Sequence, residues 1–187
     1  MKIIDPVSCR SSRGDCRRLV SVLTEKLVSS NLTIAFGESA TGGRVAYEFS
    51  LLPGAGLVLK GGIVCYAEEI KTKLLGISDQ LIEKYSAESP QASRAIVEGL
   101  MPLFPADILV GITGLVRPGG SETPQKPVGS VFIVVVFQEQ WYTRNICVKG
   151  PPETIVEHTV VEVCKLLLSL LSASNPEKAS LLLHPEA

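Results

Sequence analysis

A serine stands inside the run Gly37-Glu38-Ser39-Ala40-Thr41-Gly42-Gly43, between a β-forming segment and a segment of helical periodicity. Such a junction offers backbone N–H groups at the positive end of a helix, which suits an anion or a developing oxyanion. Two glycines let a ligand come close to the chain. Ser39 is open to three readings: a nucleophile, a phosphate ligand, or a helix cap. The nucleophile-elbow pattern G-x-S-x-G is not met, because Thr41 stands at the second glycine position.

As a nucleophile, Ser39 needs a group to take its proton. His158 falls within a late helical segment and His184 close to the C-terminus, so the base is left to a lysine, a tyrosine or a carboxylate. A lysine serves once burial or neighbouring positive charge lowers its pKa. Tyr66, closing a predicted strand, and Lys71, early in the next predicted helix, are the pair to inspect. The plainer reading is a strand-end tyrosine and a solvated lysine. A third segment, Thr113 to Gly129, combines glycines, prolines and hydroxyls with Arg117 and Lys126. It follows a predicted strand, where ligands of open α/β sheets often bind. Its cations and hydroxyls suit a phosphate-bearing ligand, although P-loop spacing is absent. The alternative is a long surface connection.

Hydrophobic periodicity supplies the elements that must hold these segments. Asp15 to Ser30 reads as an amphipathic helix, Leu32 to Phe36 as a strand, and Thr41 to Leu52 as a helix capped by Ser39 or Thr41. Gly61 to Tyr66 is a second strand, followed by short helices over Glu68 to Leu75 and Asp79 to Tyr85. Ser89-Pro90 starts a helix that should run to about Phe104, since the hydroxyl caps and proline fits the first helical position. Asp107 to Ile112 is a strand. Val128 to Phe137 and Tyr142 to Val148 form an antiparallel pair, and Glu153 to Leu171 is the last long helix. Alternating strands and helices, completed by a hairpin and a helix, predict an α/β fold: a single three-layer α/β/α sandwich around a mixed sheet. Residues 1–14 read as an N-terminal extension, 15–172 as the domain, and 173–187 as a mobile tail in which Leu181-Leu182-Leu183 could dock.

Composition agrees with one domain. The chain has 187 residues, 45% of them apolar, and eighteen basic against nineteen acidic residues, which gives no electrostatic reason to expect nucleic acid or an anionic membrane. Its mean hydropathy of +0.29 is high, yet the longest apolar run is the seven residues Val131 to Phe137, against about 20 for a span. A covered sheet explains that run. Met1 to Val28 carries scattered charges and no signal-like core. The cysteines Cys9, Cys16, Cys65, Cys147 and Cys164 are odd in number and lack C-x-x-C spacing. They fit reduced, mostly buried thiols in a cytoplasmic protein, and two histidines argue against a metal site.

Three segments in order resemble one family. They are Glu38-Ser39-Ala40-Thr41-Gly42-Gly43; Gly61-Gly62-Ile63-Val64-Cys65-Tyr66 with Lys71 and Leu74-Leu75-Gly76; and Thr113-Gly114 with Pro118-Gly119-Gly120 and Lys126-Pro127-Val128-Gly129. Together, over about residues 15–172, they resemble the C-terminal domain of the competence/damage-inducible CinA proteins, the nicotinamide-nucleotide amidase family. The resemblance implies a hydrolase that converts nicotinamide mononucleotide to nicotinate mononucleotide and ammonia in NAD salvage, with no metal or cofactor. It implies Ser39 as nucleophile and Tyr66 and Lys71 as its activating and proton-transferring partners. The oxyanion and substrate contacts would come from Glu38, Thr41, Gly42, Gly43, Thr113, Gly114, Arg117, Gly119, Gly120 and Lys126. The partners expected are a small nucleotide and further copies of the chain, a dimer first, with neither nucleic acid nor membrane.

The chain departs from the family pattern in places. Val116 and Arg117 stand where small residues are usual, and Pro152 and Val156 where arginines are often found before the last helix. The run Ser86-Ala87-Glu88-Ser89-Pro90 also differs. These departures leave a second reading, a pyridine-nucleotide-binding or regulatory module with weakened catalysis. A third is an interaction subunit that pairs through its apolar last helix and leucine tail.

Overall fold

The computed structural model describes residues 13–173. The elements run α1 (Arg13–Ser29), β1 (Ile34–Glu38), α2 (Arg44–Ser50), α3 (Ala55–Val58), β2 (Leu59–Val64), α4 (Glu68–Leu75), α5 (Asp79–Tyr85), α6 (Pro90–Leu100), β3 (Ile108–Gly114), β4 (Ser130–Phe137), β5 (Gln140–Cys147) and α7 (Pro152–Ala173). The strands form one mixed sheet in the order β2-β1-β3-β4-β5. β1 lies parallel to β2 and to β3, and β3, β4 and β5 are antiparallel neighbours. The C-terminal ends of β1, β2 and β3 therefore share one edge, and all three candidate segments leave from it.

The strands alternate their side chains between two cores, as the pleat requires. Phe36, Ile112 and Ile133 join Leu23 and Leu27 of α1, Phe49 of α2 and Val163 and Leu167 of α7. Ala35, Leu109 and Val134 join Leu75 of α4 and Ile96, Val97 and Leu100 of α6 on the opposite face. This is the three-layer sandwich that the alternating elements imply. The run Val131 to Phe137 is apolar because β4 is covered on both sides.

Several boundaries differ from expectation: β2 ends at Val64, so Tyr66 lies beyond the strand, and three others have identifiable reasons. β1 runs through Gly37 to Glu38, so Gly37 is a strand residue. A Cβ there would lie 2.2 Å from Cγ2 of Ile96, so glycine admits α6 against the sheet. Gly111 does the same in β3, where a Cβ would lie 2.2 Å from the Ser93 carbonyl oxygen. α6 stops at Leu100, four residues short of Phe104, because Pro102 has no backbone N–H with which to continue the helical hydrogen-bond ladder. The hairpin between β4 and β5 turns on Gln138 and Glu139, at φ 51° and 62°, the two-residue geometry that matches strand twist. The start of α6 is as read: Ser89 Oγ accepts from the Ala92 amide at 3.1 Å, with Pro90 following. The extension up to residue 12, Cys9, and the tail from residue 174, including Leu181 to Leu183 and His184, lie outside the described residues.

No helix among the described residues is long and apolar enough to cross a membrane. The described cysteines are free thiols, with Cys16, Cys65 and Cys164 buried.

Candidate active site

Ser39 follows β1 at the top of the sheet, where its amide donates to the Ile112 carbonyl at 2.9 Å. The residue is 6% exposed, and no side-chain hydrogen bond among the described residues occupies its hydroxyl. It does not cap a helix. The chain turns through Gly42 and Gly43, at φ 59° and 93°, and α2 begins only at Arg44 with Gly43 as its N-cap.

The capping is done by Glu38. One carboxylate oxygen accepts from the Gly43 amide at 3.0 Å and the Val45 amide at 3.1 Å, and the other from Ala46 at 2.8 Å. Glu38 is 1% exposed, so its charge is absorbed by orphan donors of α2 and by the helix dipole. It faces the helix and not a ligand, contrary to its placing among substrate contacts. The Gly42 amide bonds back to the Ser39 carbonyl at 3.1 Å. Gly42 and Gly43 therefore have no free N–H for an oxyanion. The Ala40 and Thr41 amides enter no such bond among the described residues, which moves the candidate oxyanion donors one or two residues toward Ser39.

Lys71 is almost fully buried, in the first turns of α4. Its amine donates to the Tyr66 backbone carbonyl at 3.0 Å. Burial pushes its pKa down, partly offset by Cys65, Glu88 and Glu68 nearby. It is thus not the solvated helix lysine of the plainer reading. Tyr66 contributes that carbonyl, but its side chain is 64% exposed. No hydrogen bond links its hydroxyl to Lys71 or Ser39 among the described residues.

The 113–129 loop is pinned by its own polar groups. Thr113 Oγ1 is buried against Ser93 Oγ at 2.8 Å and the Ser89 carbonyl at 3.2 Å. Gly114 abuts the Ser130 carbonyl, so both belong to strand packing. The Gly119 amide donates to Glu122 at 2.8 Å, and Gly120 sits against Leu115. The Lys126 ammonium donates to Ser86 Oγ at 2.5 Å, Ser121 Oγ at 2.7 Å and the Glu88 carbonyl at 3.1 Å. Ser121 in turn donates to the Glu88 carboxylate. An ammonium has three donors, so Lys126 fastens the loop to the α5–α6 junction and is not available to a phosphate. Sequence reading missed Glu88 and Ser86 in this role; Ser86 at φ 70° has no local signal that marks it.

Arg117 remains exposed on the loop. With Thr41, Arg44, Glu153 and Glu157 it lines a cavity of about 370 Å³, which also collects Val116, Pro152 and Val156. The departures from the family pattern on either side of that cavity thus meet in one place. Thr41 is 5% exposed and its Oγ1 has no partner, a deficit of about 1–3 kcal/mol for a shielded hydroxyl. No cluster suited to a metal ion occurs among the described residues.

Comparison with known proteins accounts for the arrangement. The CinA C-terminal domain profile matches residues 17–171. A CinA-like protein of Thermotoga neapolitana is 38% identical over 138 residues, 74% of this chain and 33% of that protein. A putative competence-damage inducible protein of Moorella thermoacetica is 34% identical over 155 residues, 83% of this chain and 37% of that one. The chain thus spans roughly a third of these relatives. Among solved structures, a competence-damaged protein (CinA) superfamily protein from Escherichia coli superposes with a TM-score of 0.79 at 28% identity, covering 87% of this chain and 94% of its own. Profile, relatives and fold agree, and the chain belongs to the CinA C-terminal domain family.

Proposed function

We propose that the domain is a metal-independent amidohydrolase that converts nicotinamide mononucleotide to nicotinate mononucleotide and ammonia. The observation that carries this reading is an unbonded Ser39 hydroxyl at the C-terminal sheet edge, on the same edge as a buried amine whose charged form burial disfavours. A neutral Lys71 amine donates one hydrogen to the Tyr66 carbonyl and keeps its lone pair for a proton.

In the reaction, Ser39 Oγ attacks the carboxamide carbon while its proton passes to the Lys71 amine. The carbonyl oxygen becomes an oxyanion facing the Ala40 and Thr41 amides, and such donors are each worth several kcal/mol in a dry site. The C–N bond then breaks, the lysine returns the proton, and ammonia leaves. Water hydrolyses the remaining ester by the same proton path and restores the serine. Tyr66 acts here by holding the amine through its carbonyl.

Ammonia release from nicotinamide mononucleotide by the wild type and by Ser39→Ala tests the reading. Turnover lost in the variant supports it; equal rates, or none in either folded protein, oppose it. The exposed Tyr66 ring favours the second reading, a nucleotide-binding module with weakened catalysis. Nucleotide binding without ammonia release would select that one.

A further inference from the structure

The cavity lined by Thr41, Arg44, Arg117, Glu153 and Glu157 is not needed for the chemistry above, yet its polar groups are specific. Arg44 is held by Glu48, which takes both Nε and one terminal nitrogen at 2.6 Å. That grip fixes the guanidinium and leaves its other terminal nitrogen over. Arg117 enters no ion pair among the described residues, and neither do Glu153 and Glu157, one turn apart at the start of the 22-residue α7. The Thr41 hydroxyl is shielded and unpartnered. The site therefore offers two guanidiniums, the positive end of a long helix, two carboxylates and one orphan hydroxyl.

A plain anion would use the guanidiniums and be repelled by the carboxylates. A plain cation would meet the reverse. A phosphate monoester carried on a vicinal diol satisfies both sets, because guanidinium forks match phosphate oxygens and carboxylates accept from sugar hydroxyls. Thr41 is two residues from Ser39, at most about 7 Å along the chain, so a ligand in the cavity can reach the serine with its base. We propose that this cavity holds the phosphoribosyl end of the nucleotide, with Arg117 and Arg44 on the phosphate and Glu153 and Glu157 on the ribose hydroxyls. The inference rests on the amidase reading for the orientation of the base, but not for the recognition itself.

Two measurements separate the claims. The first compares kcat/KM for nicotinamide mononucleotide and for nicotinamide riboside, which lacks the phosphate. Arg117→Ala should reduce the nucleotide-to-nucleoside ratio by about 10- to 100-fold, the range of one charge-assisted contact, and Arg117→Lys should restore part of it. The second is calorimetric binding of ribose 5-phosphate to Ser39→Ala, which should weaken at least about tenfold when Arg117→Ala or Glu157→Gln is added. An unchanged ratio together with unchanged ribose 5-phosphate affinity overturns the proposal, even where Ser39-dependent turnover stands. Arg117-dependent binding without any turnover upholds it and discards the amidase reading.

Discussion

Glu38→Gln is a near-isosteric change at a residue whose role sequence and structure read differently. The wild-type carboxylate accepts three backbone N–H groups at 2.8–3.1 Å through both oxygens. Glutamine keeps one oxygen and turns the other into an NH₂ that points a donor at a donor. If the oxygen faces Gly43 and Val45, the Ala46 amide is orphaned; if it flips, the other two are. The smaller loss is one charge-assisted bond, about 1.5–3 kcal/mol, plus about 0.3–1 kcal/mol of lost charge at the helix start. The variant should therefore be about 2–4 kcal/mol less stable, which for a domain of this size lowers Tm by roughly 4–16 °C. Urea unfolding should shift its midpoint without a change of slope. Turnover should fall as well, because the Ser39 to Gly43 turn loses its anchor. A variant of wild-type stability with a raised KM would refute the reasoning and make Glu38 a ligand contact.

Lys71→Met should abolish amide hydrolysis yet stabilise the domain at neutral pH by about 1 kcal/mol. Burial lowers the native pKa of Lys71 below its unfolded value, so the unfolded chain binds the extra proton and wild-type stability rises with pH. The advantage of Lys71→Met should accordingly shrink as pH climbs toward the ordinary lysine pKa; an advantage that grew with pH would contradict it. Lys126→Met removes three hydrogen bonds and should raise amide exchange and protease sensitivity across residues 113–129, with a loss of about 1–2 kcal/mol in a melt. Gly111→Ala places a methyl on the Ser93 carbonyl and should cost about 1–3 kcal/mol by pushing α6 from the sheet.

What could be read without coordinates was what local chemistry decides. Ser89-Pro90 marks a helix start through its own hydroxyl and ring, and Glu68 to Leu75 and Asp79 to Tyr85 carry their boundaries in their own sequence. The alternation of elements was enough for the three-layer sandwich. Gly37 fell outside the expected strand, Leu32 to Phe36, because its reason is tertiary: Ile96 of α6 occupies the space of its side chain. The same applies to the site. Ser39, Tyr66 and Lys71 could be named from residue types and from the resemblance. The direction of Glu38, Thr113 and Lys126 could not, since each is set by partners 5 to 40 residues away in the chain. Arg44, Glu153 and Glu157 gave no signal at all until the fold brought them around Thr41.

The central claim is that Ser39 forms an ester during amide hydrolysis. Acid quenching of the protein during turnover of nicotinamide mononucleotide, followed by peptide mass spectrometry, examines that bond directly. The account predicts a nicotinate mononucleotide adduct on the peptide containing Ser39, formed with release of ammonia and missing from Ser39→Ala. Undiminished ammonia release by Ser39→Ala, or an adduct on another residue, would contradict it.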